Sequence, residues 1–226
     1  MKISVVIPAY NEERNILPLY KMIKSTMGKL DYEVIIVDDA STDDTYEELK
    51  RIEDRRFRVM RLRRHRGKCF ALYEGIKMSQ GEIIATLDSD LQNDPKDILK
   101  MLGELGKGYD CICGWRYERR DGFVKRTLSR VGNFLNNKIF GLSLHDTNCP
   151  VKVFRRDCIT KIKYFKHFHR FIPAIIKLQG FRIGELKVNH YPRIHGVSKY
   201  GVLNRVFCTL RTMVVVRFRW RKWLNE

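Results

Sequence analysis

The sequence predicts an α/β fold in which a mostly parallel, doubly wound central sheet is flanked by helices. Three observations lead there. The apolar runs I-S-V-V-I (3–7), V-I-I-V (34–37) and I-I-A-T-L (83–87) lack polar alternation, the pattern of strands covered on both faces in a parallel sheet. Helix-patterned stretches separate these runs, which is the order a βαβ chain requires. Two of the runs then end in acids, V-I-I-V-D-D and I-I-A-T-L-D-S-D, at the strand ends where such sheets bind ligands.

In chain order, the strand at 3–7 leads into a helix over 12–27 and a second strand at 34–37. A helix over 43–52 follows S-T-D-D, with Ser41 or Thr42 expected to cap it. F-R-V-M-R-L (57–62) reads as a shorter strand, 67–79 as a helix ending near Gly81, and 83–87 as the next strand. This β-α-β-α-β-α-β order accounts for roughly the first 115 residues. Pro95 suits the first position of the next helix, with Asp94 as its cap, and Y-D-C-I-C-G-W (109–115) reads as a strand. Val124, Leu128, Val131, Leu135 and Ile139 recur near helical spacing over 123–140, with Arg126 and Arg130 among them. The C-terminal stretch mixes apolar clusters, arginines, Trp220 and Trp223, a composition suited to a helix lying in a membrane interface. The expected division is a catalytic domain over 1–200 and a basic amphipathic, membrane-surface segment over 201–226.

With 226 residues, 44% of them hydrophobic, the chain can bury one substantial core. No run of eighteen apolar residues occurs, and pieces such as F-I-P-A-I-I (171–176) are too short to span a bilayer. The first residues lack a cleavable signal pattern, because Pro8 and then Glu12 interrupt the apolar run. The expectation is a cytoplasmic protein, soluble or peripheral on the cytoplasmic face of a membrane. Six cysteines without a C-x-x-C pair are expected to be reduced thiols, and His167 and His169, two apart, point in different directions on a helix.

Charge is unevenly placed: 44 Lys and Arg against 26 Asp and Glu give +18. The surplus gathers at 51–68 (+7), 115–130 (+4) and 193–226 (+7). Such clusters suit phosphate-rich partners, whether nucleic acid, anionic membrane or phosphorylated small molecules. Nucleic acid is the weaker reading, since aromatics are not interleaved with R-L-R-R-H-R-G-K (61–68) as stacking platforms would be.

The acids carry the chemistry. Asp88 and Asp90, two apart after a strand, can project to one side, where their mutual repulsion calls for a cation. A hard divalent ion bridging them to a diphosphate answers that need, although a D-x-D pair alone is a weak signal. Asp38 or Asp39 can accept hydrogen bonds from a nucleobase or ribose, or merely support its turn.

Together, P-A-Y-N-E-E-R-N (8–15), V-D-D-A-S-T-D-D-T (37–45), L-D-S-D-L-Q-N-D-P (87–95) and N-H-Y-P-R-I-H-G-V-S-K-Y (189–200) closely resemble glycosyltransferase family 2. The branch resembled is the one that acts on polyprenyl phosphates. The resemblance runs from residue 3 to about 205 and implies a GT-A fold. It places Pro8, Ala9, Tyr10 and Glu12 around the nucleotide and Asp39 on the nucleoside. It places Asp88, Asp90 and Gln92 at a site for Mg2+ or Mn2+ with the nucleotide-sugar diphosphate. Arg116, Arg126 and Ser129 fall in a stretch similar to the acceptor segment, with Arg119, Arg120 and Arg130 competing for the role of Arg126. Arg193, Ser198 and Lys199 match a phosphate-holding loop. Asp146, in H-D-T-N-C-P, is read as either functional or structural.

The implied reaction is inverting transfer of a sugar from a UDP- or GDP-linked donor to a polyprenyl phosphate. An acceptor phosphate is largely ionised at pH 7, its second pKa being about 6, so no strong protein base is required. The Q-x-x-R-W motif of processive relatives is absent. Many relatives continue into transmembrane helices, so this chain is expected to bind the bilayer surface itself or through a separate membrane protein. The rival within the family is transfer to a hydroxyl of a glycan or glycolipid.

Overall fold

A computed structural model describes residues 1–117, 123–159, 161–193 and 203–220, with side chains omitted for 123–129 and 203–210. Three βα units open the chain: β1 (Ile3–Ala9), α1 (Glu13–Met27), β2 (Tyr32–Asp38), α2 (Thr45–Lys50), β3 (Phe57–Arg61) and α3 (Lys68–Met78). They are followed by β4 (Ile83–Thr86), α4 (Lys96–Leu105), β5 (Cys111–Arg116) and α5 (Phe123–Phe140). The chain then runs through β6 (Lys152–Arg155), α6 (Phe168–Leu178), β7 (Ile183–Val188) and α7 (Leu203–Arg219).

One seven-stranded sheet in the order β3-β2-β1-β4-β6-β5-β7 forms the centre. Every pairing is parallel except the two made by β6, which runs antiparallel to β4 and β5. β1 and β2 are buried along their whole length, as their unbroken apolar runs require. Two main cores cover the sheet, beside a small third cluster of Ile35, Val37 and Ala71. One contains Ile16, Leu19 and Ile23 of α1 with Ile98 and Met101 of α4. The other gathers Leu72 and Ile76 of α3, Phe168, Phe171, Ile172, Ile175 and Ile176 of α6, and Met213 and Val216 of α7.

The expected mostly parallel α/β sheet is therefore present, with corrections in detail. Neither Ser41 nor Thr42 caps α2. Its first residue, Thr45, donates its N–H to Asp43 at 3.0 Å, and Ser41 Oγ instead accepts the N–H of Asn11 at 2.9 Å. Asp94 caps α4 as expected by accepting the N–H of Lys96 at 2.9 Å. α7 contributes to the second core through Met213 and Val216, which are 3% and 0% exposed. Cys69, Cys111, Cys113, Cys149 and Cys158 are free thiols.

Candidate active site

The carboxyl ends of β1, β2 and β4 converge, and each is followed by a non-glycine residue with positive φ: Asn11 (54°), Ala40 (58°) and Leu91 (58°). For Ala and Leu that conformation is strained and persists only when its surroundings hold it. The first two loops hold each other. Thr42 donates its N–H to Asn11 Oδ1 at 2.8 Å, and Glu12 donates its N–H to Thr45 Oγ1 at 2.7 Å. Ser89 Oγ ties the third loop back by donating to the carbonyl of Pro8 at 3.1 Å.

At the end of β2, Asp38 accepts the Ser41 N–H at 3.0 Å and pairs with Arg61 Nε at 3.2 Å. Asp39 is 1% exposed and receives the N–H groups of Arg66 and Gly67, each at 2.7 Å. Burial nevertheless pushes its carboxyl above the usual range. His65 Nδ1 lies 3.0 Å from Asp39 Oδ2, and its ring faces Tyr10 with centroids 4.1 Å apart. Asp39 thus organises the turn entering α3, where Gly67 at φ 86° makes the bend. Tyr10 and His65 form an aromatic pair beside it.

At the end of β4, each carboxylate has its own cation. Lys68, in the first turn of α3, reaches Asp88 with Nζ 2.5 Å from Oδ2, and Arg193 places Nη2 2.6 Å from Asp90 Oδ2. Asp90 is 7% exposed. Burial first, and the neighbouring Asp88 second, raise its pKa. Arg193 is brought over by the chain after β7, because Tyr191 N–H donates to the Gln92 carbonyl at 2.9 Å and Asn189 N–H donates to Asp97 Oδ2 at 2.7 Å.

Gln92 is not turned wholly toward the carboxylates. Its N–H donates to Asp90 Oδ1 at 3.3 Å, while its Nε2 donates to the Tyr191 carbonyl at 3.1 Å. Arg116, at the end of β5, forms a two-point pair with Asp146, Nε–Oδ2 at 2.7 Å and Nη2–Oδ1 at 3.1 Å. Burial disfavours its charge, but the Asp146 carboxylate outweighs that and holds the guanidinium pKa above its usual value, with Asp88 adding to the same field. Asp146 in turn receives a backbone position from Glu185, which accepts its N–H at 3.0 Å.

Of the residues singled out by sequence, Pro8, Ala9, Tyr10, Glu12, Asp39, Asp88, Asp90, Gln92 and Arg193 therefore line one strand-end region. Arg116 sits on β5 of the same sheet edge. Arg126 and Ser129 lie on α5 where side chains are outside the description, and Ser198 and Lys199 lie outside the described residues, as do Arg119 and Arg120. Sequence reasoning missed Lys68 and His65. Lys68 is one of nine basic residues in 51–68, and only its place at the start of α3, after Gly67, sets it apart.

No group of three or more His, Cys, Asp or Glu side chains forms a metal cluster among the described residues. The Asp88 and Asp90 pair supplies hard oxygen donors, and the two cations seated on it show where positive charge belongs. That donor set suits a divalent ion completed by diphosphate oxygens rather than an all-protein cage.

Residues 4–163 match the model of glycosyl transferase family 2. The chain is 39% identical, over 96% of its length, to dodecaprenyl-phosphate galacturonate synthase from Rhizobium johnstonii, of which it covers 67%. It is 33% identical, over 91% of its length, to undecaprenyl-phosphate 4-deoxy-4-formamido-L-arabinose transferase from Proteus mirabilis, of which it covers 64%. The chain thus spans about two thirds of the length of these relatives. In fold it is similar to glucosyl-3-phosphoglycerate synthase from Mycobacterium tuberculosis, solved with Mn2+, UDP and glucosyl-3-phosphoglycerate. There the TM-score is 0.71 and the identity 20%, covering 96% of this chain and 79% of that one.

Proposed function

We propose, because this chain belongs to glycosyltransferase family 2, that it transfers a sugar from a nucleotide-sugar to a polyprenyl phosphate at the strand-end site. The carrying observation is the pairing of Asp88 with Lys68 and Asp90 with Arg193. Two anions and two cations meet where β1 and β4 end, as a reaction between two phosphate-bearing substrates requires. The names of the two relatives support the acceptor class. Their sugars differ, an acidic galacturonate in one and a formamido-arabinose in the other, so the names do not choose the donor.

The chain's own residues divide the work. Tyr10 and His65 offer a stacking surface for a base, and the Asp39 turn holds that surface in place. Asp88 and Asp90 fit Mg2+ or Mn2+, which when bound supplies charge neutralisation for the departing nucleoside diphosphate. Lys68 and Arg193 stand beside the same point and can turn from carboxylate to phosphate oxygens, for which arginine is well shaped. Arg116 keeps its guanidinium aimed by Asp146. An acceptor phosphate with second pKa about 6 is already largely anionic, so direct displacement needs no protein base and inverts the anomeric centre. Surface docking to a membrane, alone or with a membrane-protein partner, at the cytoplasmic face, completes the proposal. No described helix is long and apolar enough to cross a membrane.

The test is incubation with UDP- and GDP-sugars, Mn2+ or Mg2+ and polyprenyl phosphate. The expected product is an organic-extractable sugar whose formation stops with chelator. Transfer only to a glycan hydroxyl would overturn the acceptor assignment.

A further inference from the structure

Beneath Asp88 lies a small cavity whose polar lining includes Thr86, Asn148, Lys152, His169 and Lys68. Lys152 is the unexplained member. It begins β6, directly opposite Thr86 of β4, and is only 2% exposed. Its ammonium donates to the carbonyl of Cys149. Among the described residues no carboxylate pairs with it, whereas Lys68 has Asp88 and Arg193 has Asp90. A buried ammonium with one neutral acceptor is costly unless something else completes it. His169 of α6 lines the same cavity, and its Nδ1 is buried without a hydrogen-bond partner. Burial, with the nearby Lys68 charge, holds its imidazole well below the usual histidine range. It can therefore present an N–H into the cavity beside Lys152.

We infer that this cavity is a subsite for a carboxylate on the donor sugar, with Lys152 and His169 as its donors, so that the donor is a nucleotide-linked uronic acid. The inference rests on the reading of the strand-end site as a sugar transferase and deepens it by naming the sugar class. Asp88 joins the two places: it is a cavity wall and also one of the diphosphate-site acids, so a sugar hanging from that diphosphate lies at the mouth. The space open to a water centre is 20 Å³, room for roughly one or two water oxygens, which is what two carboxylate oxygens displace.

The experiment compares matched donors, UDP-galacturonate with UDP-galactose, UDP-glucuronate with UDP-glucose, and GDP-mannuronate with GDP-mannose, using Mn2+ and polyprenyl phosphate. At least one uronate should exceed its neutral partner in kcat/KM by about tenfold or more, the discrimination one charge-assisted hydrogen bond gives. Lys152→Met should collapse that ratio toward one, and Lys152→Arg, which keeps the charge if the methionine variant misfolds, should retain part of it. Neutral donors used as well as uronates in every pair would overturn the inference and leave the transferase reading standing. If no donor yields extractable product, the transferase reading falls. Calorimetry then decides the subsite: tighter uronate binding by a similar factor supports it, and equal affinities overturn it.

Discussion

At the scale of single residues, the site is a set of charges that exclude one another's neutral replacements. Asp90 is buried against Asp88 and answered by Arg193, so its charge matters more than its shape. Asp90→Asn should reduce transfer by at least about 100-fold, as loss of a preorganised charge does, while circular dichroism stays native. Turnover near the wild-type rate would remove Asp90 from the mechanism. Asp146 differs because its partner is a guanidinium whose side chain is 13% exposed. Asp146→Ala leaves that charge buried and unpaired, an expected loss of about 3–5 kcal/mol in urea unfolding. Asp88, Asp90 and Asp39 were legible because acids closing apolar runs are locally odd. Lys68 was not, since a lysine among arginines carries no local mark. Lys152 was hidden in another way: a charge inside K-V-F-R argues against a buried strand until the sheet is seen around it.

At the scale of elements, the first half read correctly because β1, β2 and β4 are continuous apolar runs separated by helix-length intervals. The second half resisted because β6 and β7 mix charge with apolar residues and take their pairing from distant strands rather than from their own pattern. β6 reverses direction between β4 and β5, a choice made by tertiary packing. Gly75 shows how closely α3 lies on the sheet: a Cβ there would sit 2.5 Å from Val6 Cγ1 and 3.1 Å from Val37 Cγ2. Gly75→Ala would gain about 1 kcal/mol of helix propensity on a free surface. Overpacking against two stiff valines costs about 1–3 kcal/mol, so the expected sign is destabilising, and a raised urea midpoint would contradict it. Asp54, before β3, binds Arg56 and receives Lys24 of α1 at 3.1 Å. Arg56 first among its partners holds the carboxyl well below the usual range. A depressed folded-state pKa adds stability above the unfolded value of about 3.9 and loses it as pH falls further. The stability gap between wild type and Asp54→Asn should therefore be open at pH 7 and narrow below about pH 4. A gap unchanged across that range would show that the ion pairs do not stabilise this edge.

At the scale of the whole molecule, net charge and exposed apolar surface combine. The chain carries +18, and α5 and α7, which pack together, leave large apolar side chains in solvent. Phe218 is 79% exposed, Phe134 64%, Val214 56% and Val131 53%. Arg211, Arg217 and Arg219 share α7 with two of them. Exposed aromatics cost little on a surface that meets lipid, and arginines add attraction to anionic headgroups of about 1 kcal/mol each near the surface. Deleting α7 would not test this, because Met213 and Val216 belong to the core and their loss would damage the fold. Point changes on the exposed side do. The protein should cosediment with phosphatidylglycerol vesicles at low salt and release as ionic strength shortens the screening length. Phe134→Ser with Phe218→Ser should lower partitioning by about tenfold or more, since burying each phenyl ring contributes up to about 1.5–3 kcal/mol. Unchanged partitioning of that double variant, with native circular dichroism, would show that this face does not bind lipid, and a protein that fails to cosediment at low salt would remove the membrane reading.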